Sequence, residues 1–245
     1  MEFTYNNYEK FLKTLKKDYE FVSFSRVKYS SDKLERVILL RHDIDQSLIK
    51  AEKIVEIEAS LGISSTYFLF FKSPFYNIFS HREEMIIRKI IENNHYIGLH
   101  FDYSKSQYKT ISQISYQINN EAEFLQDYYG IKVDSISFHR PFSMDFFNRL
   151  ELHDFPHAYE KIFIEKFKYF SDSKGEWRFG NPLESINYKK RENLHILIHP
   201  IWWNEKESSA LERIKEFKQK YIDILDDNLY NEMKGFWDSI KNEKE

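Results

Sequence analysis

Four short apolar runs in this chain each end in a cluster of histidine, aspartate or arginine, and this recurrence restricts the fold more than any other feature. Arg36-Val37-Ile38-Leu39-Leu40 runs into Arg41-His42-Asp43-Ile44-Asp45, and Tyr96-Ile97-Gly98-Leu99 into His100-Phe101-Asp102. Ser135-Ile136-Ser137-Phe138 runs into His139-Arg140-Pro141, and Leu194-His195-Ile196-Leu197-Ile198 into His199-Pro200. Apolar runs of this length read as buried strands. If they are parallel strands of one barrel or sheet, their C-terminal ends share a face, where such folds collect catalytic groups.

The segments between the runs support that arrangement. From Ser47 to Leu61, the residues Leu48, Ile49, Ala51, Ile54, Val55, Ile57 and Leu61 recur at near-helical spacing. Ser65 to Phe71 is β-branched and aromatic and predicts a buried strand ending at Ser73-Pro74, followed by a helix over Arg82 to Asn94. A longer helix is expected over Gln107 to Tyr129, closed by Gly130. Strand and helix alternating at this rhythm predict a parallel α/β architecture with right-handed crossovers. From Met144 to Tyr188 the pattern loosens around Pro156, Gly175, Gly180 and Pro182, and short strands and loops near the mouth of the site are expected. Ser208 to Glu245 reads as a charged amphipathic helix with Leu211, Ile214, Phe217, Tyr221, Ile222 and Leu225 on its inward face. The 245 residues fit one large α/β domain spanning 1–245, with a core over about 36–205 and a C-terminal helical segment over 206–245.

Composition narrows the chemistry. Lys and Arg total 36 against 39 Asp and Glu, a formal charge of -3, so no basic field invites nucleic acid. Cysteine is absent, which excludes disulfides and a thiolate metal site; any metal must be held by His and carboxylate. The N-terminus has neither a basic n-region nor an apolar h-region, and no run approaches the roughly 20 apolar residues of a membrane span. A cytoplasmic protein without membrane insertion is the expectation.

Asp43 and Asp45 stand two apart, so on an extended backbone both carboxylates point the same way, one for a cation and one for a water on it. His100 and Asp102 repeat the spacing. A divalent cation on such nitrogen and oxygen ligands, with positions open to water, makes hydroxide near neutral pH and polarises a carbonyl. His199, on a different strand, suits a general acid, and Arg140 suits orienting the base or a substrate anion. His81, His153, His157 and His195 read as surface or core histidines, and Trp202-Trp203 as either core or an aromatic wall beside a sugar.

These residues resemble the polysaccharide deacetylase superfamily with the NodB-homology fold. The resemblance rests on Arg41-His42-Asp43-Ile44-Asp45, Gly62-Ile63-Ser64-Ser65-Thr66-Tyr67-Phe68 and Asn94-His95-Tyr96-Ile97-Gly98-Leu99-His100, in order, and extends over roughly Val37 to Trp203. It implies a distorted seven-stranded (β/α) barrel and metal-dependent removal of an N- or O-acetyl group from a carbohydrate. It further implies Asp43 as catalytic base, with Asp45 and His100 as ligands of a divalent metal, zinc above others. His139-Arg140-Pro141 is similar to the family's third motif, whose arginine tethers the base. Tyr169 to Trp177 is similar to the fourth, with Asp172 orienting that arginine and Trp177 lining the pocket. Ile196 to Pro200 is similar to the fifth, with His199 as general acid. His139, Trp177 and Trp202 fall on the substrate side.

The chain departs from the family at Ser104, four residues after His100, where a second metal histidine usually stands. Asp102 substitutes as the third ligand, with His42 as the second candidate. The departure resembles an outlying branch associated with surface-polysaccharide biosynthesis, which implies an activated or lipid-linked sugar as substrate. Two functions follow: a metal-dependent sugar deacetylase, or a carbohydrate-binding protein on the same scaffold that has lost catalysis. A helical His-Asp phosphohydrolase ranks below both, because here the His-Asp pair follows Val37-Ile38-Leu39-Leu40.

Overall fold

A computed structural model of the chain describes residues 2–103, 110–140, 143–150, 152 and 154–242. The chain divides into two compact units, residues 1–207 and 208–245. The first is an α/β unit around seven parallel strands: β1 (Glu20–Phe21), β2 (Val37–Ile44), β3 (Thr66–Leu69), β4 (Tyr96–Phe101), β5 (Val133–Phe138), β6 (Lys168–Ser171) and β7 (Leu194–Ile198). Their order is β5-β4-β3-β2-β7-β6, with β1 beside the start of β2. Helices α3 (Leu48–Ser60), α4 (His81–Glu92) and α5 (Ile111–Tyr129) make the crossovers from β2 to β5. They correspond to the three helices expected from the periodicity; positions 107–109 of the last lie outside the described residues.

Local chemistry accounts for these boundaries. Ser47 caps α3 by accepting from the Lys50 amide at 3.3 Å. Thr110 and Gln113 form a reciprocal capping box at the start of α5, and Gly130, at φ 66°, ends it in the left-handed conformation that costs glycine little. Gly98 has a different reason. A Cβ there would lie 2.5 Å from ring carbons of Phe68 and 2.9 Å from the Ser135 carbonyl, so its absence lets the Phe68 ring lie against β4.

β2 is buried along its whole length, and its two faces serve two cores. Val37 and Leu39 meet Phe24, Phe68, Ala158, Phe163 and Phe167 in one cluster. Ile38, Leu40 and Ile44 belong to a larger one that includes the buried residues of α3, α4 and α5. The hydrogen-bonded sheet is open, ending at β5 and β6. The segment between those strands supplies Ala158, Phe163 and Phe167 to the inner cluster, and it extends β5 by an Ile136 to Pro156 bond of 2.9 Å and an Ala158 to Ile136 bond of 2.9 Å. Between Met144 and Tyr188 the structure has one strand, β6, with short helices α6 (Met144–Arg149), α7 (Lys161–Glu165) and α8 (Ile186–Lys189), in place of the several short strands expected.

Two helices escaped the sequence reading: α1 (Tyr5–Leu15) and α2 (Phe24–Tyr29). The signal for α1 is present, since Thr4 caps it and Tyr5, Tyr8, Phe11, Leu12 and Leu15 recur at three and four residues. α1 brings Tyr8 to a fully buried carboxylate, Glu58 of α3. Tyr8 and Tyr67 donate their hydroxyls to it, Ser65 donates at 2.6 Å, and His42 lies 2.7 Å away. Burial alone would raise the Glu58 pKa. The His42 charge and hydrogen bond, with His95 and Ser65, outweigh it and hold the group at about 2.

The second unit contains α9 (Ala210–Asn242), whose backbone leaves helical geometry at Met233 (φ -116°, ψ 23°). The helix was expected. Leu211, Ile214, Tyr221, Ile222 and Leu225 are exposed and Phe217 is half-buried. A 3.6-residue stripe identifies one side of a helix without supplying what covers it. No described helix is long and apolar enough to cross a membrane.

The Glu58 network gives the first expected outcome. Removing the carboxylate strands His42, Tyr8 and Tyr67 in a fully buried site, so Glu58→Ala should lose about 3 kcal/mol of unfolding free energy in urea titrations. A loss within about 0.5 kcal/mol, the range of an ordinary surface substitution, would show that the network carries no stability.

Candidate active site

β2 continues through Arg41, His42 and Asp43 to Ile44, so these residues lie within the strand and not after it. Alternation therefore separates them: Arg41 and Asp43 face one side and His42 the other. That corrects His42 as a candidate metal ligand, since its Nε2 is committed to Glu58 and its ring stacks on Tyr67 at 4.3 Å. Asp45, two residues beyond Asp43, reaches the C-terminal rim.

Three side chains converge there. His100 Nε2 lies 2.9 Å from Asp45 Oδ1, and His139 Nδ1 lies 3.2 Å from the same oxygen. One potential ligand atom from each of Asp45, His100 and His139 falls within 4.8 Å of the others, the one such group among the described residues. His100 and Ser137 are register partners on β4 and β5, and Ser137 Oγ lies 2.5 Å from His100 Nδ1, so Nε2 turns to the cluster. Asp102, expected as third ligand, is outside the group. β4 ends at Phe101, so the two-residue spacing no longer aligns Asp102 with His100. His139, expected on the substrate side, occupies that place, and Ser104 lies outside the described residues.

Two imidazoles and a carboxylate without a thiolate form a donor set suited to zinc and its neighbours among divalent metals. Burial would raise the Asp45 pKa, but the hydrogen bonds with His100 and His139 outweigh it and hold the carboxyl well below its ordinary range. Asp43, beside them, has its Oδ2 3.1 Å from Arg41 Nη2, while its Oδ1 is buried without a hydrogen-bond partner. A buried oxygen left without a partner is what a site for a polar guest requires.

The arginine that pairs with Asp43 is Arg41, not Arg140. Arg41 is 2% exposed, with its guanidinium carbon 5.5 Å from the Phe68 ring centre and 5.7 Å from that of Tyr159. Burial works against its charge, but the Asp43 carboxylate prevails and raises its pKa. Arg140 is exposed, stands at φ 58° and makes no ion pair among the described residues. A tether two residues away on the same strand was readable from the period of two, had the pairing been sought within β2.

Asp172 is fully buried, and its partner is His199 in place of an arginine. It accepts from the His199 backbone amide at 3.0 Å, lies 2.6 Å from His199 Nδ1, and accepts from Trp203 Nε1 at 2.9 Å. Burial pulls the His199 pKa down. The Asp172 hydrogen bond and charge, joined by Asp45 and Asp43, outweigh it and push the group up to about 9. His199 is thus a cation at neutral pH, with Nδ1 engaged and Nε2 as the nitrogen left to meet a substrate.

Around this centre, the Phe70 ring lies 4.8 Å from that of His139 and 5.7 Å from that of His100. Tyr76 anchors the loop behind it, donating to the Ile44 carbonyl at 2.7 Å and accepting from the Phe70 amide at 2.9 Å. Phe70 lies within the apolar run Ser65 to Phe71, just past the end of β3, a position whose role the run itself concealed. Trp177 is half-buried, 5.8 Å from the Phe3 ring and 5.7 Å from that of Phe11, against α1. Trp203 is wholly in the core and Trp202 is half-buried. His195 and His157 are buried, as core histidines are.

The dyad has a measurable signature. Because the folded His199 value lies above the ordinary 6.5, its pairing stabilises the fold fully below about pH 6.5 and is lost as pH rises through about 9. In Asp172→Asn the His199 pKa should fall to about 7 or lower, read by NMR titration of its ring nitrogens. A value unmoved from that of the unaltered protein would remove Asp172 as the source of the charge.

No family model matches the sequence, and no curated protein matches it. The structure is similar to that of the chitin deacetylase from the fungal pathogen Colletotrichum lindemuthianum, at 12% identity and TM-score 0.46, covering 77% of this chain and 84% of that one. It is also similar to a family 4 acetyl xylan esterase from Clostridium thermocellum solved with a cobalt ion, at 14% identity and TM-score 0.41, covering 66% of this chain and 73% of that one. A third similar structure is a CE4 family pseudoenzyme from Bacillus anthracis, at 14% identity and TM-score 0.44, covering 77% of this chain and 61% of that one.

Proposed function

We propose that the protein is a metal-dependent hydrolase that removes an acetyl group from a carbohydrate. The observation that carries this reading is the convergence of Asp45, His100 and His139 beside the Arg41–Asp43 pair, with the His199–Asp172 dyad on a neighbouring strand end. The sugar as substrate rests on the resemblance of the Asp43-Asp45, Gly62-Phe68 and Asn94-His100 segments to polysaccharide deacetylases.

Asp45, His100 and His139 would hold the ion. When bound, a divalent metal such as zinc supplies polarisation of the acetyl carbonyl and a more acidic water. Asp43 is the base: Arg41 fixes Oδ2, and the partnerless Oδ1 accepts the proton of the attacking water as its oxygen bonds to the carbonyl carbon. His199 is the acid, giving its Nε2 proton to the sugar nitrogen or oxygen as the bond to carbon breaks. Asp172 holds the imidazolium oriented and charged for that transfer. The products are acetate and the free amine or hydroxyl.

The second reading, a sugar-binding protein without catalysis, rests on Ser104 standing where the family places a metal histidine. Metal content separates the two. Plasma mass spectrometry should find about one divalent ion per chain, lost in His100→Ala and His139→Ala and retained in Asp102→Ala. Asp43→Asn should keep the metal and lose acetate release from acetylated sugars by about 100-fold or more. Absence of metal after reconstitution, with sugar still bound, would establish the second reading.

The two arginines make a paired test. Arg41→Met should lower kcat by about 100-fold with KM little changed, while Arg140→Ala should leave kcat within about twofold. The reverse order would restore Arg140 as the tether.

A further inference from the structure

The carboxylate that orients His199 is shared with a second side chain. His199 opens a short 3-10 turn over Pro200–Trp202, closed by the Trp202 amide on the His199 carbonyl and the Trp203 amide on the Pro200 carbonyl, each at 3.1 Å. The turn folds the chain back, so His199 and Trp203 reach Asp172 together. Asp172 Oδ1 lies 2.6 Å from His199 Nδ1, and Oδ2 accepts from Trp203 Nε1 at 2.9 Å. The His199 backbone amide lies 3.0 Å from both oxygens and so does not choose between them. Trp203, which bonds Oδ2 alone, does. Asp172 and Trp203 are both 0% exposed, which leaves water no place as a substitute donor.

We infer that Trp203 is a positioning residue for the acid: its indole N–H pins Asp172 Oδ2 and thereby turns Oδ1 onto His199 Nδ1. An indole nitrogen donates and cannot accept, so Oδ2 meets it only as an unprotonated oxygen. Trp203 is itself held in place. Its ring lies 4.9 Å from those of Phe3 and Tyr8. Beside it, Asn204 accepts from the Tyr5 amide at 2.9 Å and donates to the Phe3 carbonyl at 3.2 Å, so the N-terminal segment fixes the indole from behind. A core tryptophan needs some acceptor for its N–H. Here that acceptor is the carboxylate on His199, so packing the tryptophan and aiming the acid are one constraint.

The inference rests on His199 as the acid proposed above, and its test includes a readout that needs no turnover. In protein labelled with nitrogen-15 at histidine and tryptophan, the His199 Nδ1 proton and the Trp203 indole proton should both exchange slowly with water. Trp203→Phe keeps an aromatic ring and removes the donor. It should shorten the lifetime of the His199 proton by about tenfold or more, and lower kcat by a similar factor with KM within about twofold. Val55→Ala, a core truncation on α3 away from the dyad, should change neither by more than about twofold while still lowering stability. A His199 proton as long-lived in Trp203→Phe as in the unaltered protein would overturn the inference. Should Trp203→Phe not fold, Asp172→Asn decides: the indole signal of Trp203 should move when the charge is removed, and an unmoved signal would equally overturn it. Proton lifetimes that change as stated in a protein that releases no acetate would uphold the positioning and count against the proposed reaction.

Discussion

Arg41 and Asp43 are same-face neighbours on β2, and the strands around them remove both from water. Either charge alone would be costly there, because burial penalises an unpaired ion by several kcal/mol. Together they set the interior of the sheet. Arg41 takes the space that Val37 and Leu39 fill lower on the same face, where Phe68 and Tyr159 flank its guanidinium. Asp43 thereby has one carboxylate oxygen, Oδ2, fixed by Arg41. The Asp45–His100–His139 cluster, the proposed base and the inner core all depend on that one register of β2.

The opposite face of β2 answers with a second buried charge. His42 points outward to Glu58, which gathers hydroxyls from α1, β3 and the residue before it. A slip of β2 by one residue would exchange the two faces, putting Asp43 among the helices and His42 in the inner cluster. Both networks would then lose their partners. Two polar constellations, each satisfied only in one register, specify the strand more sharply than its aliphatic residues, which would pack nearly as well either way.

Much of this was legible in the sequence. The apolar runs gave up the order of the main strands because each is a short, doubly buried parallel strand, and the three crossover helices followed from their 3.6-residue stripes. Asp43, Asp45, His100 and His199 were readable as candidates because they end those runs, and Asp172 only through the resemblance of Tyr169 to Trp177 to a family motif. Partnerships were harder. Arg41 and Arg140 are chemically alike, and only the continuation of β2 through Ile44 turns one inward with Asp43. Asp102 repeats, from His100, the spacing of Asp43 and Asp45, and only the end of β4 at Phe101 releases it from the strand's alternation. The cover over α9 cannot be read from its own period, since a stripe encodes a side and not a neighbour.

The open edge between β5 and β6 bears on how such a site can diversify. Elsewhere around the sheet, hydrogen-bond ladders fix the spacing of neighbouring strand ends, so His100 and His139 stand at a distance set by the backbone. Asp172 and His199 are likewise joined through the β6–β7 ladder. Between these two halves lies a segment tied to β5 by backbone bonds at Ile136 and packed inward through Ala158, Tyr159, Phe163 and Phe167. The two sets of strand ends are therefore joined by ladders through β3, β2 and β7, and by side-chain packing across the open edge. Exchanging the size of those side chains would alter the space between the two sets of strand ends while every ladder stays intact.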